Sequence, residues 1–427
     1  MASGDVRRRR GGLIWHRDFR LLWAGESTSD LGTAVSGVVL PLIAVVYLHA
    51  TPFAVGALSA AQWVPWLLIG LPAGVWVDRS RRRPLMIGCD LVRVVAIASV
   101  PVAAAFDRLG LAQLFVVAAI TGFATVIFQV AYVSYLPTLL GAGELAEGNA
   151  KLHGSEAVAR VVGPGLGGLL VQLFRAPFAL ILDAASYLVS AVALVAVRVR
   201  EEPREPAERS LRREIAEGGR YVRADPILRV LTIAPALANL FFTGYGAIEV
   251  LFLVRSVHLA PASVGLLVGL VSLGSVAGAA AARPVGRRIG TSRAVWVSAL
   301  VTAPFGLLIA LTSRGAGLAF FVVGNVLLFV GILIYNITVQ TFRQAYCPAQ
   351  LLGRVVASMR FVLFGTIPLG ALLGGGLASL FGTRAAVLSL LAGNILPGLV
   401  LTLSPLRSMR DLPAGHTGER ALSPAPR

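Results

Sequence analysis

Hydrophobic positions along the chain gather into twelve long blocks separated by short polar or arginine-bearing breaks. The blocks run over residues 21–48, 53–77, 84–106, 111–138, 152–174, 177–197, 228–254, 262–282, 293–312, 317–342, 353–381 and 384–404. A bilayer span needs about 20 apolar residues, so each block is long enough to cross. Glycine and proline fall inside many blocks. In lipid they are tolerated, because neighbouring helices and local adjustments satisfy the freed backbone groups. The pattern predicts an all-α membrane protein with twelve transmembrane helices. Residues 1–20 form an N-terminal tail, 21–197 a first group of six helices and 198–227 a central loop. Residues 228–404 form a second group of six, and 405–427 a C-terminal tail. The first block is long and lacks a small-residue cleavage site, so it reads as a helix rather than a cleaved signal peptide.

Composition agrees. Of 427 residues, 56% are hydrophobic and 14% charged, and mean hydropathy is +0.78. Soluble chains carry about 25% charge, which excludes an ordinary soluble enzyme and a disordered protein. The net charge of +17 would suggest nucleic acid in a soluble chain. In a membrane chain it reflects basic loops beside anionic lipid. Arginines cluster in alternate loops: Arg79 and Arg81 to Arg83, then the central loop from Arg198 to Arg223, then Arg283, Arg287, Arg288 and Arg293, then the tails. The intervening loops after the first carry one each: Arg108, Arg175, Arg255, Arg314 or Arg384. This asymmetry predicts that both termini are cytoplasmic. Lys151 is the only lysine; with abundant Ala, Gly and Val, this suggests a GC-rich bacterial genome and a bacterial plasma membrane.

The two halves repeat. Pro52-Phe53-Ala54-Val55-Gly56 opens the second span and Pro261-Ala262-Ser263-Val264-Gly265 the eighth. Gly74 and Gly278 each precede a basic loop, and Pro164 and Pro368 are separated by the same interval as that glycine pair. Three landmarks in one order indicate a six-plus-six duplication. In the central loop, Leu211, Ile215 and Tyr221-Val222 predict either an amphipathic helix on the membrane face or a solvated linker.

The most specific motif is Gly74-Val75-Trp76-Val77-Asp78-Arg79-Ser80-Arg81-Arg82-Arg83. It resembles the signature loop of the major facilitator superfamily, G-x-x-x-D-R-x-G-R-R, with Arg81 where that pattern has glycine. Gly74 would let two helices approach closely. Asp78 and Arg79 would sit at the helix boundary, and Arg82 and Arg83 would hold lipid phosphates or the opposite half. Asp18-Phe19-Arg20-Leu21-Leu22-Trp23-Ala24-Gly25, Leu182-Asp183-Ala184-Ala185-Ser186-Tyr187-Leu188, Glu217-Gly218-Gly219-Arg220-Tyr221 and Gly353-Arg354-Val355 are similar to one branch. That branch includes the enterobactin exporter, macrolide efflux pumps and transmembrane secretion effectors. The resemblance implies a major facilitator fold of two six-helix bundles and a proton-coupled or ion-coupled exporter of small amphipathic molecules. Gly163-Pro164-Gly165-Leu166-Gly167-Gly168 matches the core of the antiporter motif. Pro164 removes a backbone hydrogen bond, and the glycines give a flat packing face.

Ionisable residues within spans are costly and point to function. Glu26 and Asp30 share one face of the first span, with Asp30 roughly 15 Å along it, near the bilayer centre. Two carboxylates that close resist double ionisation, so one holds a proton and can exchange it. The alternative is local bonding of Asp30 to Ser27 or Ser29. Asp90 and Arg93 form a structural ion pair, or else Arg93 meets Asp30 and tunes it. Tyr132, Asn239, Tyr245, Asn336 and Gln340 are candidates to line a substrate cavity. Cys89, Cys347 and five scattered histidines offer no disulfide or metal spacing, so no metal and no cofactor is expected. There is no Walker loop for ATP and no recognisable Ser/His/Asp set, so the chain is not read as an enzyme. The expected partners are a small-molecule substrate, protons or another coupling ion, and anionic membrane lipids, with no nucleic acid. The expected function is proton-coupled efflux of a drug-like or secondary-metabolite molecule by alternating access. An importer of a small solute or lipid, and a transporter-like sensor without turnover, are the alternatives.

Overall fold

The computed structural model describes residues 13–70, 72–141, 143–199 and 211–413. Arg7 to Arg10, Arg200, Arg204, Arg209, Arg420 and Arg427 lie outside the described residues. Among the described residues the chain is helical with no strand, and eleven helices are long and apolar enough to cross a membrane. Span one is Arg17–Tyr47, two Pro52–Ile69, three Arg82–Ala105, four Leu111–Leu139 and six Ala176–Ala196. Span seven is Pro226–Arg255, eight Pro261–Ile289, nine Thr291–Leu311, ten Gly315–Tyr346 and twelve Thr383–Thr402. Span eleven is Ala349–Phe381. The remaining helix, Leu145–Leu173, stands where span five is expected. Its first half carries Glu147, Lys151, His153, Glu156 and Arg160, which keeps it below the apolarity of the other eleven.

Local chemistry sets the starts. Pro52 and Pro226 occupy first-turn positions where the missing N–H costs nothing. Thr51 and Asp225 cap those turns, Asp225 accepting from the amides of Ile227 and Leu228 at 2.8 and 3.0 Å. Span two is shorter than its hydrophobic block. Pro72 opens a separate helix, Pro72–Asp78. The repeat shows in the backbone too. Span one is followed by His49 at φ 51° and span seven by His258 at φ 59°, each three residues before the paired prolines. Large apolar side chains such as Val95, Leu173 and Leu380 stay exposed, as lipid-facing positions do.

Span one packs on spans five and six, and span seven packs on eleven and twelve, so each bundle repeats the other's arrangement. The bundles meet along two seams, span two against eleven and span five against eight. On the arginine-poor face both seams are tight. A Cβ on Gly265 would lie 2.1 Å from the Pro164 carbonyl oxygen, and one on Gly56 would lie 2.5 Å from that of Ala371. The Arg255 guanidinium donates to the Ala50 carbonyl across the bundles at 2.7 Å, and the Ala262 amide to Gln172 at 3.3 Å. On the arginine-rich face the bundles are joined less closely, with the rings of Trp66 and Phe364 meeting across the seam at 4.9 Å. Beyond Leu273, span eight packs on spans nine and ten of its own bundle. A cleft of about 230 Å³ lies there between Trp66, Val130, Arg360 and Phe364. The central segment forms a helix, Leu211–Ala224. Its backbone at Gly218 lies against that of Arg354, and Glu217 pairs with Arg354. It is docked on span eleven rather than free in solvent.

Candidate functional site

Among the described residues the most buried charges within spans, Glu26, Asp90, Arg93 and Asp183, lie in the first bundle, while span seven of the second carries Glu249. Asp90 and Arg93 lie one helical turn apart on span three, fully buried, with Arg93 Nη2 3.1 Å from Asp90 Oδ1. The Arg93 guanidinium also lies between two rings, 4.3 Å from the centre of Phe128 and 4.6 Å from that of Tyr187, a stacked cationic arrangement. Nearby, Asp183 is buried and accepts from the Ser36 hydroxyl. Gly32 allows span six this close, since a Cβ there would meet Ser186 and Asp183.

Glu26 is 8% exposed, and its Oε1 has no hydrogen-bond partner among the described residues. The charges that act on it are Asp30 and the Asp90–Arg93 pair. Asp30 is half-buried, and the charges that face it are Glu156, Arg160 and His153 of span five. This corrects the pairing of Arg93 with Asp30: Arg93 is held by Asp90 and the two rings. Glu156 bridges the span-five set, 3.2 Å from His153 Nδ1 and bonded to Arg160. Tyr132 of span four stands among Glu26, Asp30 and Glu156. Sequence reasoning missed His153, Glu156 and Arg160. Their signal was the i, i+3 and i+4 spacing of charge inside an otherwise apolar block.

The Gly-Pro motif serves two contacts. Gly163 and Gly167 pack against Ala34 and Val35 of span one, whereas Gly168 faces Pro261 and Gly265 of span eight. The signature loop is arranged differently from expectation. A Cβ on Gly74 would meet nothing within 4 Å, so Gly74 mediates no close helix approach. Asp78 is 66% exposed at its side chain and lies 3.9 Å from Arg82 of the same bundle. Arg79 is exposed. Arg83 donates to the carbonyls of Leu194 and Val195 at the end of span six of its own bundle, satisfying carbonyls a helix end leaves open.

In the second bundle, Asn239 and Asn336 line a cavity, while Tyr245 does not. Tyr245 is 1% exposed and donates to Glu249 at 2.8 Å, with Asn325 donating back to its oxygen at 3.1 Å. It is a buried structural link. Gln340 is exposed, one turn beyond Asn336. Among the described residues no group of three His, Cys, Asp or Glu could hold a metal ion.

Two six-helix bundles related by repeat and joined along two seams, with a buried ion pair in the first, define a multi-pass membrane transporter of the major facilitator type. Residues 14–421 match the transmembrane secretion effector family, and the chain belongs to that family. It is 27% identical over 399 residues to the multidrug efflux pump Tap of Mycolicibacterium fortuitum, covering 90% of this chain and 95% of that one. It is 22% identical over 422 residues to macrolide efflux protein A of Streptococcus pyogenes, covering 93% and 98%. Its fold is that of a bacterial homologue of the iron transporter ferroportin in its inward-facing state, with TM-score 0.72, 19% identity and coverage of 91% and 98%.

Proposed function

We propose that the chain exports a small amphipathic molecule in exchange for protons, with both termini in the cytoplasm. The observation that carries this reading is the placement of Asp30. It is a half-buried carboxylate in span one, beside Glu26 and facing the charged set of span five. An intramembrane carboxylate is costly unless paired or protonated. Here Arg160, a cation that acts on Asp30, is already bound to Glu156. Asp30 is therefore the group free to take and release a proton. The orientation follows from the arginine asymmetry. It makes the face with the cleft between Trp66 and Phe364 cytoplasmic, which puts Asp30 in the cytoplasmic half of span one. Substrate arriving in the cleft favours the ionised carboxylate and displaces its proton inward. After the bundles rock, the more acidic exterior reloads it. The efflux pumps among the relatives support export over uptake.

The test is transport of a macrolide by the full chain in proteoliposomes under an imposed pH gradient. Asp30→Asn mimics the protonated state, so it abolishes gradient-driven net transport and retains binding. Net transport by Asp30→Asn at the wild-type rate refutes the assignment.

A further inference from the structure

The duplication places a pocket in the second bundle where the first bundle holds its buried ion pair. Matching helices from their first residues, span three with nine, four with ten and six with twelve, sets Asp90 opposite Ala299 and Arg93 opposite Thr302. It also sets Phe128 opposite Ile332, and Tyr187 opposite Asn394. All four second-bundle counterparts line one cavity of about 110 Å³, together with Asn239, itself the counterpart of Asp30. The guanidinium, its carboxylate and both of its rings have thus been replaced by smaller groups, and the space they fill in one bundle stands open in the other.

The lining has a definite chemistry. No charged side chain contributes to it. Asn394 is 8% exposed, and its Oδ1 has no hydrogen-bond partner among the described residues; neither has the Tyr335 hydroxyl. Buried polar groups of this kind cost about 1–3 kcal/mol each when left unpaired. Apolar walls come from Phe242 and Leu328. Asn336 is exposed at the edge, so the pocket opens on that side. A cavity of this order accepts one aromatic ring.

We infer that this pocket binds an uncharged, ring-sized group carrying both a hydrogen-bond donor and an acceptor, held by Asn394 and Tyr335. A cation is disfavoured, because the carboxylate that balances Arg93 in the first bundle has become Ala299. At this position the repeats differ: the first bundle holds charge and the second neutral polarity. The pocket's role as the anchor for the transported molecule rests on the export reading.

The test uses the purified full chain in lipid nanodiscs and three probes of similar shape: benzamide, toluene and benzamidinium. Affinity is read by saturation-transfer NMR titration. Benzamide binds best, with toluene and benzamidinium at least about tenfold weaker, the worth of roughly one hydrogen bond to a buried amide. Asn394→Leu lowers benzamide affinity about tenfold, and Ala299→Leu fills the pocket and abolishes it. Thermal unfolding establishes that each variant is folded. Toluene binding as well as benzamide, benzamidinium binding more tightly, or Asn394→Leu leaving the affinity unchanged would each overturn the assignment. Proton-driven macrolide transport without benzamide binding removes this site and leaves the export reading standing. Benzamide binding by a chain that moves no macrolide keeps the site and removes its transport role.

Discussion

The seam between spans five and eight sets the balance between conformations, and one added carbon atom tests it. In Gly265→Ala the new Cβ would sit 2.1 Å from the Pro164 oxygen and 2.9 Å from the Gly168 Cα. Ordinary van der Waals contact begins near 3.4 Å, so the helices must part by roughly an ångström. Neither contact is the flexible end of a side chain; both are backbone. Overpacking of this kind costs about 1–3 kcal/mol, which multiplies the open population of the arginine-poor face by about 5–150. The cost falls only on the conformation in which the seam is closed, so the equilibrium shifts rather than the fold failing. Spin labels at Arg108→Cys and Ala316→Cys, with Cys89 and Cys347 replaced, report the distance across that face by pulsed electron resonance. Gly265→Ala should convert a minor long-distance component into a large one. Gly376→Ala, where a Cβ meets nothing within 4 Å, is the control and should leave the distribution unchanged. An unaltered distribution in folded Gly265→Ala would refute the reasoning.

Cysteines introduced at Ser80 or Ser408 should resist an impermeant thiol reagent applied from outside intact cells, and one at Ser313 should react; the reverse pattern would overturn the orientation. Asp78→Asn should lower the unfolding temperature little, since its contact with Arg82 is exposed and worth below about 1 kcal/mol, yet slow transport. Wild-type turnover would count against a gating role for the loop. Asp90→Leu should destabilise the protein by about 3–5 kcal/mol, because Arg93 is left buried and uncompensated. Asp90→Leu with Arg93→Met should recover much of that loss in thermal unfolding, and no recovery would show that the pair is not the cause.

Sequence periodicity shows the spans because each is written locally: about 20 apolar residues are enough to mark one. The repeat was legible for the same reason, since Pro52 and Pro261 each open a helix by their own backbone chemistry. Side-chain partners were not. Arg93 is within reach of Asp90 by helical spacing and of Asp30 only by packing, and packing chose Phe128 and Tyr187 to enclose it. Tyr245 looked like a cavity residue because aromatic character says nothing about which face of a helix it occupies. Gly74 was expected at a close helix approach, yet the close approaches fall on Gly56, Gly168 and Gly265, which carry no more local signal than it does. The second-bundle pocket needs four helices at once, so no single segment announces it.

The charged first half of Leu145–Leu173 has a consequence for how the protein is made. Residues such as Lys and Asp add about 2.5–3.5 kcal/mol each at the centre of an inserting helix. A segment carrying Glu147, Lys151, Glu156 and Arg160 would therefore hesitate at the translocon if presented to lipid alone. Pairing Glu156 with Arg160 and Glu147 with Lys151 hides part of that charge, and span one, already in the membrane, offers the polar face that takes the rest. In the folded bundle the fifth helix packs on the first, so its charged half lies beside Asp30 rather than against lipid alone.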